Sequence, residues 1–408
     1  MGINNRERHA PNGSERMYAH IVGWGMAVPE HIMTNDDLAV FVDTSNEWIV
    51  SRTGIRERRI AGESETTATL GLAAARQALE VANVLPENID MVVVATSTPD
   101  HIFPSTASLI QAGLGANRAG AFDLSAACSG FVYAVHMAAQ AIQAGSIRTA
   151  VVIGAETMSR VMDWQDRATC ILFGDGAGAV VLRASAQEGG VLSSVLRSDG
   201  TGGDLLGIPS VGTIDYVGDD ITLPEVNGHR FNKMHMNGGE VFKFATRVIA
   251  ESVTQALEQS RLTIHDVRLI VPHQANLRII AAAARALKVD ESLFMCNLDR
   301  YGNTSAASIP IALVEAVEQG LVKQGDPVVF VGFGGGLTWA SMVVRWGAPV
   351  QESSPLFNRQ RRALTYSFAR LRARITRVSR QLNETARRVR PEQGRIDRLR
   401  HKINRRRL

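Results

Sequence analysis

Cysteine is scarce: Cys128, Cys170 and Cys296 are the only three in 408 residues. An odd, small number rules out a full disulfide framework and makes a reducing compartment, the cytoplasm, the expectation. The opening MGINNRERHAPNGSERM has no apolar stretch, so it does not read as a secretory leader. It reads as a short disordered lead, residues 1–18. Aromatic residues make up 6% of the chain, whereas 45% is hydrophobic and 21% charged, the composition of a globular protein. Residues 124–147 lack Asp, Glu, Lys and Arg altogether, which is long enough to raise the question of a membrane span. However, Ser125, Cys128, His136, Gln140 and Gln143 interrupt the segment and much of the remainder is alanine. It therefore reads as a helix buried inside a large protein. The nucleotide-binding glycine fingerprints are also missing, since Gly174-Asp175-Gly176-Ala177-Gly178 precedes a strand rather than following one.

Charge is present but unevenly placed. The net charge is +4, yet residues 351–408 carry seventeen Arg and one Lys against four acidic residues, or +14. Residues 1–350 are therefore at −10, and a body this acidic does not bind nucleic acid by itself.

The body alternates β-branched runs with alanine-rich helical patterns, which predicts an α/β protein with sheets buried on both faces. Strands are expected at 91–95, 149–153, 179–182, 269–271, 328–331 and 341–344. Helices are expected at 66–83, 105–114, 130–144, 240–260, 277–287 and 306–319. The order of elements repeats: 91–95 echoes 269–271, 120–124 echoes 294–298, 150–154 echoes 327–332 and 176–182 echoes 337–344. Two duplicated halves follow, 19–190 and 191–349, with a separate tail over 350–408.

Three polar residues stand where such a duplication would bring them together. Cys128 lies between a short strand and the uncharged helix, where the helix dipole favours a thiolate. His273 follows the apolar run 269–271, and Asn303 lies in the loop matching that of Cys128. Ligand groups in α/β sheets gather at such strand ends. Taken singly, each is more often a small buried cysteine, a capping histidine or a turn asparagine. Gly334-Gly335-Gly336 reads as a tight turn, or beside a thiolate as a backbone donor to an oxyanion.

The motifs Ala126-Ala127-Cys128-Ser129-Gly130, His273-Gln274-Ala275-Asn276-Leu277-Arg278, Gly302-Asn303-Thr304-Ser305 and Phe333-Gly334-Gly335-Gly336 resemble those of the β-ketoacyl-acyl carrier protein synthase III family. Asp43-Thr44-Ser45-Asn46-Glu47-Trp48-Ile49-Val50 and Arg52-Thr53-Gly54-Ile55-Arg56 resemble its N-terminal signature. The resemblance runs from about His20 to Trp346. It implies a thiolase-like fold, two duplicated α/β halves in an α-β-α-β-α arrangement, here followed by a basic helical C-terminal extension.

The same resemblance implies that Cys128 takes an acyl group from acyl-CoA and condenses it with malonyl-acyl carrier protein, starting fatty-acid synthesis. His273 and Asn303 then stabilise the enolate, and the N–H groups of Cys128 and Gly335 form the oxyanion hole. It further implies that Trp48 and Arg167 sandwich the CoA adenine with Arg52 near the phosphates, and that Phe103 and Phe333 border the primer pocket, Phe103 across a homodimer interface. Lys243, Gln274, Arg278 and Arg285 are the implied carrier-protein docking residues; no metal or cofactor is implied. Gly239 departs from the Asn that relatives often carry. Plant-type polyketide synthases, thiolases and elongating ketosynthases share the fold, and a related type III-like ketosynthase or acyltransferase of secondary metabolism is the alternative. A papain-like hydrolase shares only the order Cys, His, Asn.

The resemblance does not reach the tail. There Leu364, Phe368, Leu371, Ile375, Val378 and Leu382 form a heptad seam among arginines, interrupted by Pro391 and resumed at Ile396, Leu399 and Ile403. A solvated appendage packed on a dimer, a membrane-surface helix, and a recruiter of an acidic partner or nucleic acid are its readings. The tail is expected to be dispensable for condensation.

Overall fold

In this computed structural model the described residues are 16–209, 225–226, 229–230, 232–347 and 355–389. Most of the lead 1–18, and the seam residues Ile396, Leu399 and Ile403, lie outside them.

Two sheets carry the fold. The first contains β1 (Tyr18–Ala27), β2 (Met91–Ala95), β3 (Gly120–Leu124), β4 (Thr149–Thr157) and β5 (Asp175–Ser185), in the order β1-β5-β4-β2-β3. The second contains β6 (Gly190–Ser198), β7 (Leu269–Pro272), β8 (Pro327–Gly334) and β9 (Thr338–Arg345), in the order β7-β8-β9-β6. In each sheet the central strand, β4 or β8, has a parallel neighbour, β2 or β7, and an antiparallel one, β5 or β9. The antiparallel neighbour pairs in turn with an antiparallel strand, β1 or β6. The duplication read from the sequence is thus a duplication of topology. One expected strand is not formed: 294–298 pairs only as a single bridge between Phe294 and Ile270 before the short helix Leu298–Tyr301. The second sheet has no counterpart of β3 beyond that bridge.

Helices form the remaining three layers. α1 (Thr67–Val81) and α2 (Thr106–Leu114) pack outside the first sheet. α3 (Gly130–Gln143), α4 (Gly238–Gln259), α5 (Leu277–Leu287) and α6 (Ser308–Glu318) complete the body. α4 and α5 cover the outside of the second sheet, while α3 and α6 lie between the sheets in one shared core. That central position is why α3 carries no charge: Phe131, Val132, Val135, Ala138 and Ile142 are fully buried. Among the described residues no helix is long and apolar enough to cross a membrane.

The tail forms α7 (Pro355–Val389), docked on the outer layer. Arg359 reaches Glu80 at 3.3 Å, Arg361 reaches Glu87 at 2.6 Å, and Arg362, only 4% exposed, donates to Asn83. The heptad seam points the other way, into solvent.

Candidate active site

The nucleophile turn is built on one unusual backbone angle. Ala127 has φ of 45°, a left-handed conformation rare for a residue bearing a side chain, and it throws the chain into a single 3₁₀ turn, Ala127–Ser129, at the foot of α3. Ser129 Oγ donates to Ala126 O at 2.8 Å, and Thr338 Oγ1 lies 3.0 Å from both Ala126 O and Gly335 O. These bonds clamp the turn to the triple-glycine loop. Gly334 is needed for that approach, since a Cβ there would stand 2.6 Å from Cys128 N.

Cys128, His273 and Asn303 line one cavity of about 1070 Å³, with Phe333, Gly335 and Ser305. Cys128 Sγ donates to Ser305 Oγ over 3.5 Å. Burial pushes the thiol up to about 12; the Ser305 hydroxyl and the cysteine's own N–H pull down, and the buried Glu156 carboxylate pushes up further. Burial therefore opposes the helix-start dipole, which favours a thiolate. Burial likewise drops the His273 imidazole to about 3, so it is neutral. Its Nδ1 lies 2.6 Å from Ser308 Oγ, and its ring meets Phe333 edge-on at 5.2 Å. Where the Ser308 hydroxyl is the donor to Nδ1, the proton sits on Nε2; the reverse direction would put it on Nδ1. Asn303 Oδ1 accepts from Ser305 N at 2.8 Å, which leaves its NH2 as the donor. The resting site is a neutral thiol, a neutral imidazole and an amide.

Glu156 holds the floor. It is fully buried, with its pKa raised by desolvation, and it accepts from Thr98 Oγ1 at 2.5 Å, Thr96 Oγ1, the N–H groups of Ser97 and Thr98, and Ala306 N. Residues 122–200 match the family model described as 3-oxoacyl-[acyl-carrier-protein (ACP)] synthase III, and 257–346 match its C-terminal model. The β-ketoacyl-[acyl-carrier-protein] synthase III of Roseiflexus sp. (strain RS-1) is 52% identical over 331 residues, 81% of this chain and 99% of that protein. The protein of the same name from Clostridium acetobutylicum is 50% identical over 80% of this chain and 98% of its own length. The chain belongs to the β-ketoacyl-acyl carrier protein synthase III family.

The solved synthase III from Thermus thermophilus superposes with a TM-score of 0.75 at 46% identity, covering 81% of this chain and all of its own. The priming β-ketosynthase of the R1128 polyketide pathway gives 0.76 at 39% identity, covering 82% and 98%. The family is one of acyl-transferring condensing enzymes, built on the thiolase fold.

At the mouth of this synthase-family cavity, Arg52, Lys243 and Arg278 line the opening, and Arg285 lies exposed two turns further along α5. Trp48 carries Arg52 on its ring at 4.5 Å and Arg167 at 4.9 Å, with Arg167 also paired to Asp43 at 3.4 Å. A purine between Trp48 and Arg167 has to displace that guanidinium. One expectation needs correcting. Gln274 cannot dock a partner, being 1% exposed and bonded to Pro272 O, Met295 O and Asn297 N. Phe103, expected to act across a dimer interface, stands 85% exposed and lies outside its own chain's cavity, whose wall its neighbours His101 and Ile102 do line. Gly239 also lines the cavity, and a Cβ there would meet nothing closer than 3.7 Å.

Ser305, Ser308 and Glu156 escape sequence reasoning. Ser305 lies inside a quoted motif without a chemical signature of its own. A carboxylate ending an apolar strand is the signal that could have found Glu156.

Proposed function

We propose that Cys128 accepts an acyl primer from acyl-CoA and passes it to malonyl-acyl carrier protein, giving 3-oxoacyl-acyl carrier protein and so initiating fatty-acid synthesis. The observation that carries this reading is the shared cavity holding one thiol, one imidazole and one amide. In the first half-reaction the Cys128 sulfur attacks the thioester carbon, the C–S bond to CoA breaks, and the thiol proton ends on the departing CoA sulfur. With the thiol near 12 and the imidazole near 3, a free thiolate–imidazolium pair is the disfavoured state, so proton loss accompanies attack. The N–H groups of Cys128 and Gly335 receive the oxyanion.

In the second half-reaction malonyl thioester loses CO2. Its enolate oxygen takes hydrogen bonds from His273 Nε2–H and the Asn303 amide, its α-carbon attacks the acyl-Cys128 carbonyl, and the carbonyl–sulfur bond breaks, the departing Cys128 sulfur taking its proton from solvent. A neutral imidazole suits this donor role. Trp48, Arg52 and Arg167 bind the CoA nucleotide, Lys243, Arg278 and Arg285 meet the acidic carrier protein, and Phe333 borders the primer. The enzyme works in the cytoplasm as a homodimer in which Phe103 reaches the other copy's primer pocket. It requires no metal or cofactor. The R1128 likeness favours a second reading, a ketosynthase or acyltransferase of secondary metabolism using the same chemistry.

Mass spectrometry after exposure to a panel of acyl-CoA thioesters, followed by malonyl-acyl carrier protein, tests the sequence of steps. Acylation confined to Cys128, absent in Cys128→Ala and discharged as a 3-oxoacyl product, is expected. Acyl groups on another residue, or peptide hydrolysis without condensation, would overturn it.

A further inference from the structure

α7 is docked on one face and bare on the other. Its inner face is fixed by the ion pairs to Glu80 and Glu87, by Arg76 over the Tyr366 ring at 4.7 Å, and by Thr365 and Ala369 seated against Gly115. On its outer face Leu364, Phe368, Leu371, Ile375, Val378 and Leu382 are 52–67% exposed. At alternating spacings of four and three they make one stripe, roughly 27 Å long at the helical rise. Isolated exposed apolar side chains need no explanation, but six in line on a helix held in place form a surface that something covers.

Charge selects the occupant. Residues 355–389 contain ten arginines, with Glu384 as the only acidic residue. A second copy would bring the same cationic helix against itself, without the carboxylates that flank a coiled-coil seam. An acidic protein would answer the arginines but leaves the apolar stripe without a purpose. An anionic lipid surface satisfies both features at once: the stripe sinks to the boundary of headgroups and acyl chains, and the arginines stay at phosphate level with their stems along the apolar edge. The body, at −10, is repelled by the same surface, so attachment depends on the tail.

We propose that α7 lays its stripe from Leu364 to Leu382 on an anionic membrane surface and so holds the enzyme there, lying on the bilayer rather than crossing it. The inference is independent of the chemistry assigned to Cys128, because its test reads binding.

The test uses the full-length protein and sedimentation with vesicles of phosphatidylglycerol and phosphatidylcholine in equal parts, against phosphatidylcholine alone. Binding to the anionic vesicles only, weakened by salt, is expected. Arg370→Gln with Arg374→Gln and Arg377→Gln should lower it about a hundredfold, and Leu371→Gln with Ile375→Gln roughly tenfold or more. Condensation of soluble substrates and the circular dichroism spectrum should stay as in the unaltered protein, showing that the variants fold. The proposal is overturned by no binding to anionic vesicles, or by binding that survives the Leu371/Ile375 variant. It is equally overturned if that variant halves the particle mass in light scattering without any vesicle binding, which would assign the stripe to a second copy.

Discussion

The two halves of the body share a turn but use it oppositely. Ala127 at φ 45° opens the 3₁₀ turn before α3, and Ser305 at φ 49° opens the corresponding turn before α6. Aligned this way, Cys128 matches Ala306, and Asn303 stands three residues earlier, so the halves match by loop and not by reactive residue. Each turn sits on a glycine of the other half's central strand. A Cβ on Gly154 would strike Ala306 O, and one on Gly332 would come within 3.3 Å of Cys128 O. Two residues further along these strands the symmetry breaks. Glu156 accepts from Ala306 N at 3.4 Å, whereas its counterpart Gly334 sets no side chain against Cys128 N. One half's amide is capped by a carboxylate; the other's meets no side chain from the matching position, as the oxyanion role proposed for it requires. The two turns are similar, and a carboxylate in one half where the other has glycine is the difference between them at this position.

Restoring a side chain at Gly334 is the severest way to break this asymmetry. Gly334→Ala should lower the condensation rate by about 10²–10³, the usual worth of one oxyanion donor, while calorimetry still shows a cooperative melt. Normal turnover in this variant would remove the amide from the mechanism.

A second prediction concerns His273, which the second half alone supplies. Its folded pKa, about 3, lies below the ordinary 6.5, so the unfolded chain binds the extra proton between those values. The stability it contributes is therefore complete above pH 6.5 and lost as pH falls toward 3. Denaturant titrations should show His273→Gln flatter across that window, by about 1.4 kcal/mol per pH unit where the unfolded histidine is fully protonated.

Smaller effects sharpen the division of labour between the halves. Lys243→Ala with Arg278→Ala should raise the KM for malonyl-acyl carrier protein about tenfold at low salt, since each exposed charge is worth under about 1 kcal/mol, and leave Cys128 acylation by acyl-CoA unchanged. Ser308→Ala should slow decarboxylation about fivefold by releasing the His273 tautomer, the loss of one hydrogen bond of about 1 kcal/mol. An equal slowing of both half-reactions would assign Ser308 a merely structural part.

Much of this was legible in the residues. Met91–Ala95 and Leu277–Leu287 were read with their observed ends, because apolar runs there are bracketed by polar residues and a capping Asn276. β1 and β6 carry no clear strand signal: glycines interrupt the first, and Ser193 and Ser194 break the apolar pattern of the second. The strand expected at 294–298 shrank to one bridge because Leu298–Tyr301 turns helical. At the site, Cys128, His273 and Asn303 were readable as motifs, but the charge state of the thiol was not. Its burial and the nearby Glu156 carboxylate are properties of the assembled layers, and no local spacing encodes them.

The reciprocal seating of the two turns has a consequence for assembly. Each half completes the other's floor, and α3 and α6 share one core between the sheets. Neither half, made alone, has a finished interior to fold around. The chain should therefore melt as one cooperative unit, and its two similar halves are no longer separable pieces: the doubling that created them has become an obligation.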